Sequence, residues 1–354
     1  MLFRSRRSEG IAPFNPLRPH FHSPALNVIT LAQIGCGYWG PNLLRNFAAL
    51  PGASVKFVVD RSAERRSYVE KNYPGIQTVA ELEPVLRDPA IQAVVIATPA
   101  RSHFALAERA LAAGKHVFVE KPLAMSVDEV DRLDTAARAL GLTLMAGHTF
   151  LYHPAVLALK QLIDAGELGR IYYLYTQRLN LGVVRSDVNA LWNLAPHDVS
   201  IANFLLGTPP LAASAHGTAY LQPGIEDVVF ANFEYPGDVR ASVHVSWLDP
   251  NKVRKVTLVG SRRMAVYDDM AENKLTLFDK GLDAPAGPGQ ALTFDLPLAD
   301  PRLVYRSGKA TTPPVGTAEP LRETARDFLA AITDRKSTRL NSSHIPLSRM
   351  PSSA

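Results

Sequence analysis

Short apolar runs alternate with amphipathic segments along residues 28–148. Five apolar runs, each bounded by turn-forming residues, predict β-strands at 28–34, 55–60, 93–97, 116–119 and 142–146. The segments between them have the apolar spacing that is typical of helices, at 43–48, 63–72, 80–86, 103–113 and 127–140. Strands that alternate with helices in this way pair in parallel, with the helices as crossovers. The pattern therefore predicts a doubly wound parallel sheet in this part of the chain.

The pattern changes after residue 148, where β-rich sequence continues without helical crossovers. Seven segments predict strands, at 171–181, 212–221, 227–235, 241–247, 255–259, 264–268 and 274–278. Helical patterns lie at 155–165, 196–206 and 321–332, and a Pro- and Gly-rich loop is predicted at 281–320. Consecutive strands joined by turns favour antiparallel pairing. We therefore expect two domains, with the parallel sheet in 28–148 and a mostly antiparallel α+β domain in 149–333.

Both ends of the chain lack such periodicity and match translated sequencing adapters. Residues 334–344 and 348–354 match one adapter, and residues 2–5 match the opposite one. We expect 1–5 and 334–354 to be translated adapter, and 1–27 as a whole to be a non-native or disordered extension. On this hypothesis the natural chain starts near Val28 and the last helix is cut short. Resequencing of the source locus tests it, because these codons in the genome would contradict it.

Excluding residues 1–27 and 334–354 changes the net charge of the chain. The whole sequence has 38 basic and 33 acidic residues, a net charge of +5. Residues 1–27 and 334–354 hold eight of the basic and two of the acidic residues, so 30 and 31 remain and the net charge becomes −1. No basic patch for nucleic acid or an anionic membrane is then indicated.

Cysteine content and hydropathy restrict the class of protein further. Cys36 is the only cysteine, which excludes an intramolecular disulfide and a cysteine-rich metal site. No apolar run approaches the roughly 20 residues of a membrane span. We expect a cytoplasmic protein with no metal and with no membrane or nucleic-acid partner.

A glycine-rich turn joins the first predicted strand to the first predicted helix. It comprises Gly35-Cys36-Gly37-Tyr38-Trp39-Gly40. In a GxGxxG turn the first glycine allows the tight turn, the second lets a pyrophosphate approach the backbone, and the third allows close packing of helix and strand. The free N–H groups at the start of the helix favour an anion. The motif alone is weak, but its position between strand and helix predicts a dinucleotide site.

Asp60 ends the second predicted strand, 20 residues after Gly40. This is the spacing of a carboxylate that accepts hydrogen bonds from the adenosine ribose. The carboxylate would repel a 2′-phosphate, so NAD is favoured, while Arg61 could neutralise that phosphate and leaves NADP open. The alternative is an acidic residue in a surface turn.

Three further segments carry candidate chemistry. Residues 97–103, which include Thr98, Pro99 and His103, follow the strand at 93–97, and Glu120-Lys121-Pro122 follows the strand at 116–119. The carboxyl ends of parallel strands form the ligand-binding edge of such a sheet. The third segment, 191–198, is predicted to open a helix, and its His197 could transfer a proton near neutral pH. The alternatives are a solvated loop lysine and a histidine bonded to backbone.

With these motifs the chain resembles the glucose-fructose oxidoreductase / inositol dehydrogenase / rhizopine catabolism (Gfo/Idh/MocA) family. The matching residues are the glycine turn, Ala97-Thr98-Pro99 with His103, Glu120-Lys121-Pro122 and Pro196-His197-Asp198, and the resemblance covers 28–333. It implies an N-terminal Rossmann domain and a C-terminal domain whose large open sheet often forms oligomer contacts. It also implies contacts to the cofactor from Gly35, Gly37, Tyr38, Trp39, Gly40, Asp60, Arg61, Thr98, Pro99, His103, Glu120 and Lys121.

The resemblance implies that Lys121 and His197 are the proton-transfer pair. Many sugar dehydrogenases of the family have Asp four residues before this histidine, where this chain has Asn193. An amide cannot accept a proton, so a relay of three groups is not expected. We expect hydride transfer between a sugar carbinol and nicotinamide, with His197 as base and Lys121 bonded to the same oxygen.

Polar residues of 175–193 suit the wall of a substrate cleft. The candidates for substrate binding are Tyr152, Arg178, Asn180, Arg185, Asn193 and His197. Arg178 and Arg185 could hold a phosphate or carboxylate, or be solvated. A nucleotide-linked or acidic sugar is the leading substrate class, and a homo-oligomer is expected. The alternatives are a free-sugar, inositol or diol dehydrogenase and a cofactor-binding regulator without catalysis.

Overall fold

The structure of the protein is a computed structural model that describes residues 28–283 and 304–333. The hypotheses on 1–27 and 334–354 lie outside the described residues, as does the part of the predicted loop at 284–303. Across 28–283 and 304–333, no helix combines the length and apolar character needed to span a membrane.

The first half of the chain forms a six-stranded parallel sheet in the order β3-β2-β1-β4-β5-β6. The strands are β1 Ile29–Ile34, β2 Ala53–Val59, β3 Gln77–Val79, β4 Ala93–Ile96, β5 His116–Val119 and β6 Leu144–Ala146. The helices are α1 Gly40–Ala48, α2 Ala63–Asn72, α3 Glu83–Arg87, α4 His103–Ala112 and α5 Val127–Leu140. All four residues of β4 are buried, which explains its continuous apolar run. The predicted doubly wound sheet is confirmed.

The second half forms an eight-stranded sheet in the order β14-β13-β12-β11-β7-β10-β9-β8. The strands are β7 Ile171–Leu179, β8 Ala212–Thr218, β9 Val228–Tyr235, β10 Val239–Ser246, β11 Val253–Gly260, β12 Met264–Asp268, β13 Leu275–Asp283 and β14 Val304–Thr311. Within this sheet β7 and β10 pair in parallel and the other neighbours pair antiparallel, so the predicted mostly antiparallel sheet is confirmed. The helices are α6 Pro154–Asp164, α7 Ala190–Leu206 and α8 Pro320–Thr333.

One face of the large sheet is covered and the other is open. In β9 buried and exposed residues alternate, with Phe233 buried and Phe230 half exposed. Helix α7 packs against β10, β7 and β9 on the covered face. On the open face Tyr173 and Tyr175 are exposed, and the ring of Phe230 stacks on that of His244 at 4.2 Å.

The last helix packs against the first half of the chain. The ring of Phe328 in α8 lies 6.2 Å from that of Phe47 in α1 and 5.6 Å from that of Phe118 in β5, both edge-to-face. Arg45 of α1 also pairs with Glu319, next to the start of α8. The C-terminal helix therefore completes the core beneath the parallel sheet.

Three sequence predictions are corrected by the fold. Strand β14 lies within the predicted loop 281–320, because its polar residues form a sheet edge without apolar alternation. Strand β3 was missed because it has three residues and none is fully buried. Helix α7 starts at Ala190 and not at Pro196, because Asn189 Oδ1 accepts the N–H of Trp192 at 3.0 Å and caps the helix, which leaves Pro196 inside it.

Candidate active site

The glycine turn between β1 and α1 combines close packing with one open position. Gly35 has φ +92°, and a Cβ there would lie 2.7 Å from the carbonyl oxygen of Ala97. A Cβ on Gly40 would lie 2.7 Å from the carbonyl oxygen of Gly35. At Gly37, by contrast, no described atom outside Gly37 and its two chain neighbours lies within 4 Å of an added Cβ. The turn is thus rigid where it packs and open where a pyrophosphate would meet backbone.

Asp60 follows β2 and lies beside this turn. Its Oδ2 accepts the N–H of Cys36 at 2.7 Å and its Oδ1 accepts the N–H of Ser62 at 2.9 Å. Each carboxylate oxygen has a second lone pair, so hydrogen bonds from ribose hydroxyls remain available. The side chain of Arg61 is exposed at the same edge. These residues fit a dinucleotide.

The segment after β4 is divided between surface and core. Pro99 is exposed and Thr98 is half-buried, with its Oγ1 accepting from the hydroxyl of Ser102 at 2.8 Å. His103 is buried, and its ring nitrogens lie 2.7 Å from Pro122 O and 2.8 Å from Thr98 O. His103 therefore joins the two loops at the sheet edge and does not itself face a ligand.

Lys121 reaches from the parallel-sheet half to helix α7. Its Nζ donates to the backbone carbonyl of Asn193 at 2.8 Å. Burial lowers the pKa of Lys121 to about 8, with the charges of Arg178 and Arg185 adding to the shift and that of Glu120 opposing it. The ammonium form predominates at neutral pH, close to the point where it loses its proton.

His197 lies one helical turn after Asn193 on α7. The ammonium of Lys121, bonded one turn earlier on this helix, is near enough for its charge to act on the imidazole of His197. Burial, and then the charges of Lys121, Arg178, His148 and Arg254, hold the pKa of His197 well below its usual range. The imidazole is therefore neutral at physiological pH. Its Nδ1 is buried without a hydrogen-bond partner in residues 28–283 and 304–333.

A phenylalanine and two arginines surround His197. The ring of Phe150 lies 4.8 Å from the imidazole, edge-to-face. The guanidinium of Arg178 lies 4.5 Å from the same phenyl ring, and that of Arg254 lies 5.7 Å from it. Phe150 and Arg254 were missed from the sequence, because nothing along the chain connects them to His197.

Glu120 precedes Lys121 and contacts the glycine turn. Its Oε1 accepts from Nε1 of Trp39 at 3.0 Å, and its Oε2 accepts the N–H of Lys121 at 3.2 Å. Burial raises the pKa of Glu120 to about 7. Tyr38, the neighbour of Trp39, is almost fully exposed. The predicted cofactor and proton-transfer residues thus converge on one edge of the parallel sheet, with His103 behind them.

Sequence comparison matches both halves to one family. Residues 29–148 match the model of an oxidoreductase family with an NAD-binding Rossmann fold, and residues 156–266 match the GFO/IDH/MocA C-terminal domain. The chain belongs to the Gfo/Idh/MocA family. Its first half is therefore an NAD-binding Rossmann fold, and the resemblance found in the sequence is confirmed.

Proteins with assigned activities are similar to this chain over most of their length. The scyllo-inositol 2-dehydrogenase (NAD(+)) of Bacillus subtilis (strain 168) is 30% identical over 237 residues, 62% of this chain and 68% of the relative. The UDP-N-acetylglucosamine 3-dehydrogenase of Acidithiobacillus ferrooxidans is 30% identical over 258 residues, 72% of this chain and 79% of the relative.

Solved structures have the same architecture. That of UDP-N-acetylglucosamine 3-dehydrogenase from Acidithiobacillus ferrooxidans superposes with a TM-score of 0.74 at 25% identity, over 90% of this chain and 94% of the other. GenD2 from gentamicin A biosynthesis, solved in complex with NAD, has a TM-score of 0.74 at 21% identity over 96% and 94%. The second match shows the fold alone.

Three predicted substrate residues of this Gfo/Idh/MocA chain have their polar groups bonded within the protein. Arg178 Nε lies 2.6 Å from Oδ2 of buried Asp198. Tyr152 is buried and its hydroxyl donates to Asp327 at 2.7 Å. The Oδ1 of Asn193 accepts from the indole of Trp247 at 3.2 Å.

Arg178 and Tyr152 are both buried and bonded to carboxylates, and their predicted contact with substrate stays a prediction. Asp198 could have been suspected from the sequence, since it directly follows His197. Nothing short-range indicates Asp327 or Trp247.

Two other predicted substrate residues, Asn180 and Arg185, remain near solvent. Asn180 is half-buried, and its backbone N–H donates to Ser246 O at 3.1 Å, which fixes the end of β7 against the end of β10. Arg185 forms a two-point ion pair with Asp187, at 2.8 and 2.7 Å, and its side chain is 40% exposed. Of the two arginines predicted to hold an anion, Arg185 is therefore the accessible one.

Proposed function

We propose that this protein is an NAD(P)-dependent dehydrogenase or reductase that moves a hydride between nicotinamide and a sugar or nucleotide-sugar carbon. The observation that carries the proposal is the contact between Lys121 Nζ and the carbonyl of Asn193, one turn before His197. It brings an ammonium and a neutral imidazole together at the sheet edge that also carries the glycine turn. The pair supplies a hydrogen-bond donor and a base to one hydroxyl group.

The two groups divide the proton chemistry. In the oxidation direction the C–H bond breaks as a hydride leaves, and the hydroxyl proton passes to the neutral imidazole of His197. Lys121 donates a hydrogen bond to the same oxygen and stabilises its developing negative charge. The nicotinamide, when bound, supplies the hydride acceptor. Acid–base help of this kind contributes roughly 10²–10⁴-fold in rate.

The charges around His197 also favour release of the proton from its imidazole after the reaction. The cationic neighbours that lower its pKa make the imidazolium costly, so the proton leaves readily for solvent after each turnover. In the reduction direction the same groups act in reverse, and the oxygen receives a proton as the hydride arrives at carbon.

An acidic or nucleotide-linked sugar is the substrate class that we propose. Arg185 is accessible and near enough to Lys121 to lower its pKa. The charge of Arg101, in the turn after β4, acts on Asp187 and lowers the pKa of that carboxyl, after the larger effect of its bond to Arg185. Two cations and one carboxylate at the cleft suit a phosphate or carboxylate of the substrate. The UDP-N-acetylglucosamine 3-dehydrogenase relative is consistent with this class.

A free-sugar or inositol dehydrogenase is the second candidate, supported by the scyllo-inositol 2-dehydrogenase relative. It needs Lys121 and His197 but does not need Arg185. A non-catalytic regulator would bind the cofactor and turn over nothing.

The open face of the large sheet supports association between copies of the chain, which we propose as part of the function. A groove of about 720 Å³ lies there, lined by Tyr172, Tyr173 and Tyr175 among others. Exposed aromatic side chains in a continuous surface are typical of interfaces. Sedimentation of the purified protein tests this, and a monomer at all concentrations would contradict it.

The substrate class is tested by turnover. The purified chain is assayed with NAD and NADP against UDP-sugars, uronates, free sugars and inositols in both directions, following reduced nicotinamide by absorbance. We expect turnover with NAD and an anionic sugar, and an increase of about 10–100-fold in KM for Arg185→Gln, the range for a lost charged hydrogen bond. Arg132→Gln, at an exposed ion pair elsewhere, is the matched control.

Each other outcome identifies one alternative. Turnover of inositol or free sugar that Arg185→Gln leaves unchanged would support the second candidate. Binding of NADH with no turnover of any substrate would support the regulator.

A further inference from the structure

Trp39 connects the glycine turn to the segment that carries Lys121. It lies between Gly37 and α1, and its side chain is 43% exposed. Its indole Nε1 donates to Glu120 Oε1 at 3.0 Å across 81 residues of sequence. A tryptophan in this position is not required by the turn, since the glycines on either side of it provide the close approaches.

Glu120 receives this bond in a restricted space. A Cβ on Gly147 would lie 3.1 Å from Oε1, so the missing side chain at 147 leaves room for the carboxylate. The other oxygen, Oε2, accepts the N–H of Lys121. The carboxylate is thus fixed by one donor from the glycine turn and one from the catalytic segment.

The charge of Glu120 acts on Lys121. Burial raises the pKa of Glu120 to about 7, against the opposing effects of the Lys121 charge and of the two hydrogen bonds. The negative charge of Glu120 in turn raises the pKa of Lys121, whereas burial, Arg178 of β7 and Arg185 lower it. The charge of Lys121 also acts on His197 of α7, which is neutral. Glu120 is therefore the anionic group that favours the ammonium form.

We propose that Trp39 is a positioning residue, whose indole N–H keeps Glu120 ionised beside Lys121 and thereby keeps the lysine protonated for catalysis. The catalytic part of this inference rests on the proposed function. The link itself is a property of the protein without substrate, so the two can be tested separately.

The link is tested by NMR of the indole N–H groups. The sequence has three tryptophans, Trp39, Trp192 and Trp247, so three indole signals are expected in a ¹H–¹⁵N spectrum of the full chain. The spectra of the Trp39→Phe and Trp192→Phe variants, each lacking one signal, assign the three signals to their residues. We expect the Trp39 signal to titrate with a midpoint near 7, and Glu120→Gln to abolish that titration. A Trp39 signal that does not titrate, or that titrates equally in Glu120→Gln, would overturn the link.

The catalytic part is tested by the pH profile of kcat/KM. Without the indole N–H, Glu120 accepts a proton more readily and Lys121 loses its anionic neighbour. The alkaline limb near pH 8 should therefore move down by about half to one pH unit in Trp39→Phe, and by at least as much in Glu120→Gln. An unchanged limb in Trp39→Phe would overturn the positioning role of Trp39, whether or not the limb moves in Glu120→Gln. No turnover by the wild-type chain with any substrate would instead overturn the proposed function, and with it the catalytic part of this inference.

Discussion

Replacement of Arg178 by methionine should destabilise the protein strongly. Arg178 Nε lies 2.6 Å from Asp198 Oδ2, and the two side chains are 6% and 1% exposed. Methionine retains most of the aliphatic volume but leaves the carboxylate of Asp198 buried without its counter-charge. Burial already raises the pKa of Asp198, and Arg178 opposes that shift. The variant therefore removes the main group that compensates this buried charge.

The expected loss is about 3–5 kcal/mol of unfolding free energy, the range for a buried ion pair that loses one partner. Domains are stable by about 5–15 kcal/mol, so the change should be obvious. Asp198→Asn should also destabilise. The double variant Arg178→Met/Asp198→Asn should lose less than the sum of the two single variants, by about 0.5–3 kcal/mol, because the second replacement removes the stranded charge.

Urea denaturation of the four proteins measures this coupling. The control is Arg132→Gln, which breaks the exposed pair with Glu108 and should cost about 0–1 kcal/mol. An Arg178→Met variant of wild-type stability with a raised KM for an anionic sugar would refute the reasoning. It would mean that Arg178 binds substrate, as the sequence suggested, and that its bond to Asp198 contributes little.

Three further predictions concern the cleft and its supports. Lys121 has a pKa of about 8 and must stay protonated, while His197 is neutral throughout. We therefore expect kcat/KM for oxidation to fall above about pH 8. A rise through that pH would assign the base role to Lys121. Gly37→Ala should fold normally because its Cβ meets open space, but it should weaken NADH binding in a fluorescence titration because that space is where the pyrophosphate approaches. Gly40→Ala should lower the thermal midpoint, because its Cβ meets a carbonyl oxygen at 2.7 Å. Equal thermal stability of the two variants would contradict the account. Tyr152→Phe should cost about 1–3 kcal/mol of unfolding free energy in urea denaturation, since it leaves the partly buried carboxylate of Asp327 without its donor. A changed KM for sugar with unchanged stability would contradict this and support the predicted substrate contact.

The parallel sheet was predictable because its signals are local. Each buried strand is one apolar run, as at Ala93–Ile96, and each glycine of the turn acts on atoms within a few residues or at the adjacent strand end. The position of Asp60 follows from the length of one β-α-β unit. Such patterns do not depend on distant parts of the chain.

Long-range contacts could not be predicted in the same way. The partner of Tyr152 is 175 residues away, and the acceptor of Lys121 Nζ is a backbone carbonyl 72 residues away, which has no side-chain signature. The role of Arg178 depends on which face of β7 meets α7. The start of α7 was misplaced because a proline usually marks a first turn, while here the cap at Asn189 decides.

In the proposed mechanism Lys121 and His197 carry the proton chemistry of hydride transfer. The most direct test is rapid mixing of the NAD-loaded protein with the substrate that the panel identifies, for the wild type, Lys121→Met and His197→Gln. We expect the rate of NADH formation to fall by roughly 10²–10⁴-fold in each variant, with NADH binding retained in fluorescence titrations. Hydride transfer at the wild-type rate in either variant would contradict the account.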